Sequence, residues 1–396
     1  MLVIALVKGV PANTARVVTI GGVLRREEMD IVLNPYDRKT IEAADYIRRL
    51  LGGKLVALSM GPHPKIIPIM NELFSAEVEG IDEAYILSDR RMAGADTLAT
   101  SYTLALGIKK ILDLHRDALA KVRSALESGD VEQAAKVAEE LYNRNLIPNI
   151  VYNDKPPIMR QSIIWRVKAG QMRVDEAVKA VKELEDSVYR RFIIVAGLKA
   201  SDGETGHVGP QTAEALSEIL GITIPHTTYV TEFSIVGNSI IAKRRFINYI
   251  QTVQLNLPAV ITIHTEYRSP APPIDGRREA RLMMFKGKNT NITIWNADDI
   301  KADPVRIGLA GSPTVVGPGV DLGRPIVRKI VNKTLIFAQD VDKVSFNGKE
   351  YGPFRRGDVA DGLPPELIEE FKAKGIVKTF TYDDLAEEII KILAGR

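Results

Sequence analysis

Two periodicities alternate along the chain. Some stretches are continuously apolar over the length of a strand, and others place apolar residues at helical spacing. The apolar runs are residues 2–7, 55–60, 84–87 and 192–196, and the helical patterns are residues 38–51, 65–74 and 211–220. Alternating strands and helices predict an α/β fold, a doubly wound parallel sheet with helices on both faces.

Residues 115–190 interrupt this alternation with helical patterns alone. These cover residues 117–127, 130–143 and 174–189. Gly129 followed by Asp130 predicts the end of one helix and the N-cap of the next. We interpret the segment as a helical insertion; the alternative is an enlarged connection with no separate role.

The remainder of the chain is strand-like and then rich in glycine and proline. Residues 228–296 have strand patterns, and residues 303–323 predict an extended C-terminal arm. Two helical patterns follow at residues 364–373 and 382–393. The predicted parts are residues 1–114 and 191–302 for the two halves of the α/β domain, 115–190 for the insertion, and 303–396 for the arm and helical tail.

Composition excludes several classes of protein. The 396 residues include no cysteine, which rules out disulfides, thiolate metal sites and a cysteine nucleophile. The net charge of +3 argues against nucleic acid as the main partner. No apolar run approaches the roughly 20 residues of a membrane span, and the N-terminal run predicts a strand and not a signal peptide. Few glutamines beside many charged residues are typical of a thermophile.

The loop that follows the apolar run at residues 192–196 has four glycines. Ligands of open α/β sheets bind beyond the carboxyl ends of the strands, and glycines and a helix N-terminus suit a phosphate there. Lys199 adds a cation, and Ser201 and Thr205 add hydroxyls. The alternative is a turn in which Asp202 and Thr205 cap local backbone groups.

Two further loops begin helices. Residues 93–101 contain Asp96 as a predicted N-cap, and residues 34–37 place Pro35 in a first helical turn. Both patterns fit simple capping as well as contact with a nucleotide.

Familiar catalytic motifs are absent from the sequence. The dinucleotide fingerprint, the phosphate loop and the nucleophile elbow do not occur. The five histidines are scattered without metal-ligand spacing. We therefore predict no catalytic side chain and no metal site.

Six blocks, in this order, resemble the beta subunit of electron transfer flavoproteins: residues 5–8, 33–37, 58–62, 202–210, 256–260 and 308–314. The resemblance covers roughly residues 1–112 and 192–316. It implies an adenine-nucleotide alpha-hydrolase-like domain that pairs obligatorily with an alpha subunit carrying FAD.

The block at residues 87–102 resembles the electron-bifurcating branch of that family. The resemblance therefore implies FAD in this subunit, with AMP, as in the ordinary branch, as the alternative. The cofactor-binding positions that it implies are Leu6, Asn34, Tyr36, Asp37, Ser59, Met60, Gly61, Ser88, Asp89, Gly94, Asp96, Thr97, Thr100, Gly197, Lys199, Ala200, Asp202, Gly203, Glu204, Thr205, Gly206, Val208 and Gly209.

The glycine-rich loop departs from the family pattern in two ways. The basic residue that usually follows the strand-ending glycine stands one position later, at Lys199. Glu204, Gly206 and His207 replace the more usual Asp, Ala and Gln. These changes put individual contacts in question and not the cleft.

The resemblance implies a function in which the cofactor and not a side chain does the chemistry. NADH gives a hydride to this FAD. One electron goes to ferredoxin or flavodoxin and the other, through the alpha-subunit FAD, to a quinone-linked flavoprotein dehydrogenase. The implied location is cytoplasmic, with the membrane reached only through partner subunits. Rival interpretations are a scaffold that holds AMP structurally and an unrelated nucleotide-binding hydrolase.

Residues 268–290 lie where the family carries its partner-recognition loop. Six basic and two acidic side chains surround the apolar Leu282, Met283, Met284 and Phe285. The resemblance implies a docking loop with a basic rim and an apolar anchor. The alternative is a solvated turn whose apolar residues pack into their own subunit.

Overall fold

The structure is a computed structural model that describes residues 1–12, 19–20, 23–24, 30–75, 81–270, 292–314, 334–381, 384 and 387. Its chain contacts divide it into two compact units, Met1–Gly319 and Val320–Arg396. Residues 271–290 of the candidate partner-recognition loop, residues 315–323 of the predicted arm and most of the predicted helix at 382–393 lie outside the described residues.

The first unit alternates strands and helices over most of its length. Its elements, in chain order, are β1 (Leu2–Leu6), β2 (Gly9–Pro11), β3 (Thr19–Ile20), β4 (Val23–Leu24), β5 (Ile31–Leu33), α1 (Pro35–Leu51), β6 (Lys54–Met60), α2 (His63–Ser75), β7 (Ile81–Leu87), α3 (Thr97–Glu127), α4 (Val131–Asn143), α5 (Ile163–Lys168), α6 (Val174–Ser187), β8 (Phe192–Gly197), α7 (Val208–Leu220), β9 (His226–Val236), β10 (Ser239–Arg245), β11 (Ile250–Asn256), β12 (Ala259–Ile263) and β13 (Ile292–Trp295).

A nine-stranded sheet in the order β11-β10-β9-β12-β8-β1-β6-β7-β13 organises this unit. Neighbouring strands in the series β9-β12-β8-β1-β6-β7-β13 pair in parallel. Strands β10 and β11 add an antiparallel edge beside β9. The chain runs outward from β1 through β6 and β7 and then returns to β8 on the other side of β1. This reversal opens a crevice between the carboxyl ends of β1 and β8, the usual place for a ligand in such a sheet.

Helices cover both faces of the sheet, as the doubly wound prediction requires. Val3 and Ala5 of β1 pack into the core shared with α1 and α2, and Ile4 packs into the core shared with α3 and α7. Burial on both faces explains why β1, β6 and β8 have continuous apolar sequences.

The helical segment begins inside α3 and not at residue 115. This helix of 31 residues runs unbroken across the predicted boundary at 114–115. Its second half packs with α4, α5 and α6 around a separate core that includes Val122, Ile164 and Val181. Within α3 the ring of His115 is buried, and its Nδ1 lies 2.9 Å from the Leu146 carbonyl oxygen.

Residues 303–314 form turns and not an extended arm. Ile307 is 1% exposed and belongs to the core on the α3 and α7 face. The compact first unit accordingly continues past the predicted boundary at 302–303 to Gly319.

The second unit is a small mixed domain around Phe337, which is fully buried. Phe354 stacks on Phe337 with ring centroids 4.3 Å apart, and Phe371 meets it edge-on. The described elements are β14 (Thr334–Phe337), β15 (Val344–Phe346), β16 (Lys349–Tyr351), α8 (Pro365–Ala373) and β17 (Val377–Phe380). The helix predicted at residues 364–373 is therefore present.

Candidate functional site

The predicted cofactor positions lie along the carboxyl edge of the sheet. They stand at the ends of β1, β6, β7 and β8 or in the first turns of α1, α3 and α7, or in the loops joining these elements. At the strand ends are Leu6, Ser59, Met60, Gly61, Ser88, Asp89 and Gly197, and at helix starts are Asn34, Tyr36, Asp37, Asp96, Thr97, Thr100, Val208 and Gly209. In the loops are Gly94, Lys199, Ala200, Asp202, Gly203, Glu204, Thr205 and Gly206.

Asn34 connects the start of α1 to the glycine-rich loop. The sequence suggested a helix cap, but the Asn34 side chain makes no capping hydrogen bond. Its amide donates to Asp37 Oδ1 at 2.9 Å and to the Lys199 carbonyl oxygen at 3.0 Å, and its Oδ1 accepts the Ser201 N–H at 3.2 Å. Because Asn34 is 1% exposed, this bridge fixes the loop from inside the protein.

Asp37 is buried beneath the crevice. Its Oδ2 accepts the Lys8 backbone N–H at 2.7 Å, so the ends of β1 and α1 are held together. Burial raises the pKa of Asp37 to about 7, against the opposing effect of the hydrogen bonds from Lys8 and Asn34. The side chain therefore changes charge near neutral pH.

Two lysines reach the crevice, and each is paired with an acidic residue of the loop. Lys8 Nζ lies 2.7 Å from Asp202 Oδ1 and 2.9 Å from Oδ2. Lys199 Nζ lies 3.1 Å from Glu204 Oε1 and 5.6 Å from the centre of the Tyr36 ring. Sequence reasoning did not place Lys8 among the site residues, although its position two residues after the end of β1, at the chain reversal, is the signal that could have identified it.

The backbone of the glycine-rich loop turns back on itself before α7. Gly206 has φ of 69° and Glu204 has φ of 53°, a conformation that is uncommon for a residue with a side chain. A Cβ atom added to Gly203 would meet no atom within 4 Å, so this part of the loop faces open space. The helix begins at Val208, so Pro210 lies within its first turn.

Asp96 caps α3, as the sequence predicted. Its Oδ1 accepts the Leu98 and Ala99 N–H groups at 2.9 and 3.0 Å. Its Oδ2 accepts the Thr314 N–H at 3.2 Å, and its own N–H donates to Ser312 Oγ at 2.8 Å. The cap therefore also holds residues 308–314 against the start of α3, a contact that local sequence patterns did not reveal.

Ser88 and Asp89 are held by the start of α2, by Arg91 and by the loop after β13. Ser88 Oγ accepts the His63 N–H at 3.1 Å. Asp89 accepts from Arg91 Nη2 at 2.7 Å and from the Ala297 N–H at 3.0 Å. The hydrogen bonds from Arg91 hold the pKa of Asp89 well below its usual range, so it is a carboxylate at neutral pH.

The second turn of α3 contacts the first turn of α7. Ser101 Oγ donates to the Val208 carbonyl oxygen at 3.2 Å. Helix N-termini carry unpaired N–H groups and partial positive charge, which together favour phosphate. The contact joins the two predicted groups of cofactor residues, those of the glycine-rich loop and those at residues 88–100, into one continuous edge.

Groups of three or more His, Asp or Glu side chains arranged to hold a metal ion are absent from the described part of the chain. No helix within the described ranges combines the length and apolarity that crossing a bilayer requires.

Comparison with known proteins agrees with this geometry. Residues 21–151 match the model of the electron transfer flavoprotein domain. The electron transfer flavoprotein subunit beta of Thermoanaerobacterium thermosaccharolyticum is 27% identical over 319 residues, which are 80% of this chain and 86% of that protein. The caffeyl-CoA reductase-Etf complex subunit CarD of Acetobacterium woodii is 27% identical over 80% of this chain and 86% of its own. Protein FixA of Azorhizobium caulinodans is 26% identical over 80% of this chain and 83% of its own. Residues 21–151 thus match the electron transfer flavoprotein domain, and over four fifths of its length the chain is similar to beta subunits of electron transfer flavoproteins.

Proposed function

We propose that this chain is the beta subunit of an electron transfer flavoprotein and that it binds FAD along the carboxyl edge of its sheet. The observation that carries the proposal is the hydrogen bond between Ser101 and the Val208 carbonyl, which brings two helix N-termini together. One helix N-terminus suits a single phosphate, whereas two adjacent ones with the intervening loop suit an extended dinucleotide.

The adenylate half would lie at the crevice between β1 and β8. Asn34 and Asp37 hold the loop in place there, and Lys8 and Lys199 supply positive charge close to the glycines. The open space at Gly203 leaves the backbone accessible to a phosphate. The residues present therefore fit an adenine nucleotide.

The flavin half would lie along residues 88–100. Asp96 and Asp89 organise this stretch by binding backbone N–H groups on both sides of it. FAD, when bound, would supply the redox chemistry, since it accepts a hydride from NADH and releases electrons one at a time. The protein's part is to position the cofactor, which accords with a site whose carboxylates are occupied by structural hydrogen bonds.

The proposed reaction is electron bifurcation. NADH is oxidised to NAD⁺ by loss of a hydride. One of its two electrons reduces a ferredoxin-like iron–sulfur protein or a flavodoxin, and the other passes through the FAD of an alpha subunit to a quinone-linked flavoprotein dehydrogenase. The relatives named as subunits of electron transfer flavoproteins and of an Etf complex support the alpha subunit as partner.

Acid release of the bound nucleotide tests the cofactor. The chain purified with its alpha subunit is expected to release two FAD per heterodimer and no AMP. One FAD and one AMP would instead identify the second candidate, an ordinary beta subunit that holds AMP structurally. Release of neither nucleotide from this chain would contradict both.

Stopped-flow mixing with NADH tests the reaction. The flavin absorbance of the complex should bleach, and ferredoxin reduction should require a high-potential acceptor in the same mixture. Ferredoxin reduction at the same rate without that acceptor would identify a simple NADH dehydrogenase and contradict bifurcation.

A further inference from the structure

The part of the helical segment between α4 and α6, residues 144–173, is strongly basic. It has six basic side chains and one acidic side chain, a local charge of +5 in a chain whose net charge is +3. The two flanking helices are acidic: α4 has three acidic residues and one basic residue, and α6 has five acidic and two basic. Positive charge is therefore concentrated on residues 144–173, which we call the basic loop.

The cations of the basic loop fall into a paired and an unpaired group. Paired with acidic residues of the flanking helices are Arg144, Lys168 and Arg173. Exposed, and without an ion pair to any described acidic residue, are Lys155, Arg160 and Arg166. The unpaired cations lie in the middle of the loop, so its central charge is not balanced within the described part of the chain. Such a patch creates a positive potential that attracts acidic molecules.

Apolar side chains stand among the unpaired cations. Ile150 is 56% exposed and Ile158 is 46% exposed. The Ile150 carbonyl oxygen accepts the Ile163 N–H at 2.8 Å, and the Met159 carbonyl oxygen accepts the Ser162 N–H at 3.1 Å. Both isoleucines are therefore held close to the start of α5. Exposed apolar residues grouped with charged ones are typical of an interaction surface.

The basic loop is anchored to the sheet at its start. Asn145 Nδ2 donates to the Asp82 carbonyl oxygen at 3.0 Å, and Lys54 Nζ donates to Asn145 Oδ1 at 3.2 Å. The Leu146 carbonyl oxygen lies 2.9 Å from Nδ1 of the buried His115 ring. Lys54 and Asp82 stand at the starts of β6 and β7, so the anchor is at the amino edge of the sheet. The candidate nucleotide site is at the opposite edge, so a partner held at the anchor leaves the crevice open.

These features together select an acidic protein surface as the partner. Protein interfaces combine apolar contacts with a charged rim, and guanidinium groups bind carboxylates through paired hydrogen bonds. Nucleic-acid interfaces are more polar than this and leave the exposed isoleucines unexplained. A lipid surface is bound by the outward apolar face of an amphipathic helix. Helix α5 has no such face, because its aliphatic residues Ile163, Ile164 and Val167 are buried in the core of the helical segment.

We propose that the basic loop is a docking surface for a partner protein that presents acidic residues. Arg160 and Arg166 pair with carboxylates of that protein, and Ile150 and Ile158 make the apolar contacts. Unpaired cations speed association and make it sensitive to salt, whereas apolar contacts slow dissociation. The interaction is independent of the bound nucleotide. It gives the helical segment a role of its own, in addition to the proposed function of the sheet.

Two fluorescent peptides of equal length test the surface on the full-length chain. One repeats Glu-Glu-Leu and the other repeats Glu-Glu-Ser, so they differ only in apolar content. Fluorescence anisotropy should show tighter binding of the Glu-Glu-Leu peptide, with an affinity that falls as salt increases. Arg160→Glu with Arg166→Glu should weaken that binding about tenfold, and Ile150→Ser with Ile158→Ser should abolish the preference between the peptides.

A matched control separates the surface from overall charge. Lys179→Glu with Lys182→Glu changes the net charge by the same amount on α6, where both lysines are exposed. Parent-level binding by this control, with the loss confined to the arginine variant, supports the docking surface. Equal losses in the two variants would show an effect of net charge alone and overturn it. Because every altered side chain is exposed, circular dichroism and thermal unfolding should be unchanged in all variants.

Other occupants of the basic loop would overturn the proposal in distinct ways. Equal binding of the two peptides by the parent would remove the apolar part of the surface. Tighter binding of phosphatidylglycerol and phosphatidylcholine vesicles, or of a single-stranded oligonucleotide, than of the Glu-Glu-Leu peptide would assign the loop to a membrane or to nucleic acid. Self-association of the parent that the arginine variant loses, measured by light scattering across a dilution series, would assign it to a second copy of this chain.

Discussion

Asp37 occupies the space that a side chain at position 197 would need. A Cβ atom built on Gly197 would lie 2.3 Å from Asp37 Oδ1 and 3.3 Å from the Tyr36 Cβ. Gly197 ends β8 and Asp37 lies in the first turn of α1, so the glycine lets the helix approach the strand end closely. This approach forms one wall of the crevice.

Gly197→Ala should therefore damage the site and the fold together. The added methyl group displaces Asp37 from the Lys8 N–H and the Asn34 amide, and overpacking of this kind destabilises by about 1–3 kcal/mol. Urea unfolding and acid release of nucleotide measure the two effects. Gly203→Ala is the control for stability alone, because its Cβ would meet no atom of the protein within 4 Å and its φ is not in the left-handed region. Equal stability of the two variants would contradict the proposed role of Gly197.

Asp96→Ala should lower both helix stability and flavin retention. Loss of an N-cap costs about 1 kcal/mol, and here the hydrogen bond to the Thr314 N–H is lost as well. Asp130→Ala is the matched control: Asp130 caps α4 through the Gln133 N–H at 2.9 Å within the helical segment. Both variants should lose stability, but only Asp96→Ala should release flavin on gel filtration. Equal flavin content in the two would place Asp96 outside the cofactor site.

Glu83 and His115 give opposite dependences of stability on pH. His115 Nε2 lies 3.7 Å from Glu83 Oε1, and the Tyr85 hydroxyl donates to the other Glu83 oxygen. Burial raises the pKa of Glu83 to about 7 and lowers the pKa of His115 to about 4. The folded protein therefore holds extra protons on Glu83, so that the free energy of unfolding falls as pH rises from 4.5 towards 7. It excludes protons from His115, so that the free energy falls as pH drops from 6.5 towards 4.

Single substitutions should separate these two opposing slopes. In His115→Gln, stability relative to the parent should fall as pH rises across this window, because the contribution of His115 is gone. In Glu83→Gln, stability relative to the parent should rise as pH rises across the same window. The change should be about 1–3 kcal/mol in each of the two variants. Urea unfolding at pH 4.5, 5.5, 6.5 and 7.5 measures the free energy of unfolding of each variant and of the parent. Asp37 titrates similarly in all three proteins, so its contribution cancels in the difference. Parallel pH profiles for the three proteins would show that neither group titrates as the structure indicates.

Local patterns predicted the sheet well, because its strands are buried on both faces and their apolar sequences leave no other assignment. The bounds of β1 and β8 differ from the prediction by one residue. Helix α3 runs unbroken across the predicted boundary at 114–115, where the ring of His115 is buried and bonded to the Leu146 carbonyl. Burial of that ring depends on residue 146, which no local window around position 115 contains.

The sequence predicted which loops form the candidate site, but not which side chains of those loops bond to one another. Glycine spacing and the end of a buried strand indicated the loop, and Asp96 was identified as a cap because capping acts over three residues. Capping was one of two interpretations of residues 34–37, but the Asn34 amide bonds to a loop 165 residues away. Such contacts arise only when the reversal of the chain brings β1 and β8 together.

Substitutions of Lys8 and Asp202 distinguish two roles of their ion pair. Lys8 either contacts a phosphate of the nucleotide or only holds the loop in place. The Asp202 side chain is 7% exposed and that of Lys8 is 36% exposed, so the lysine is the partner that a ligand can reach. If Lys8 binds a phosphate of the nucleotide, Lys8→Met should weaken nucleotide binding about tenfold to a hundredfold, the usual range for a charge-assisted hydrogen bond. Asp202→Asn should keep or tighten binding, since it removes the carboxylate that competes for the lysine.

Equilibrium titration of the nucleotide-free protein with AMP and FAD at several salt concentrations measures these affinities. The parent and Asp202→Asn should lose affinity as salt increases, and Lys8→Met should show a flatter dependence because a charge contact is missing. Partly exposed ion pairs contribute about 0–1 kcal/mol to folding, so all three proteins should unfold at similar urea concentrations. If Lys8→Met and Asp202→Asn weakened binding equally, the pair would act by holding the loop in place, and the phosphate contact would have to come from Lys199 or from the backbone of α7.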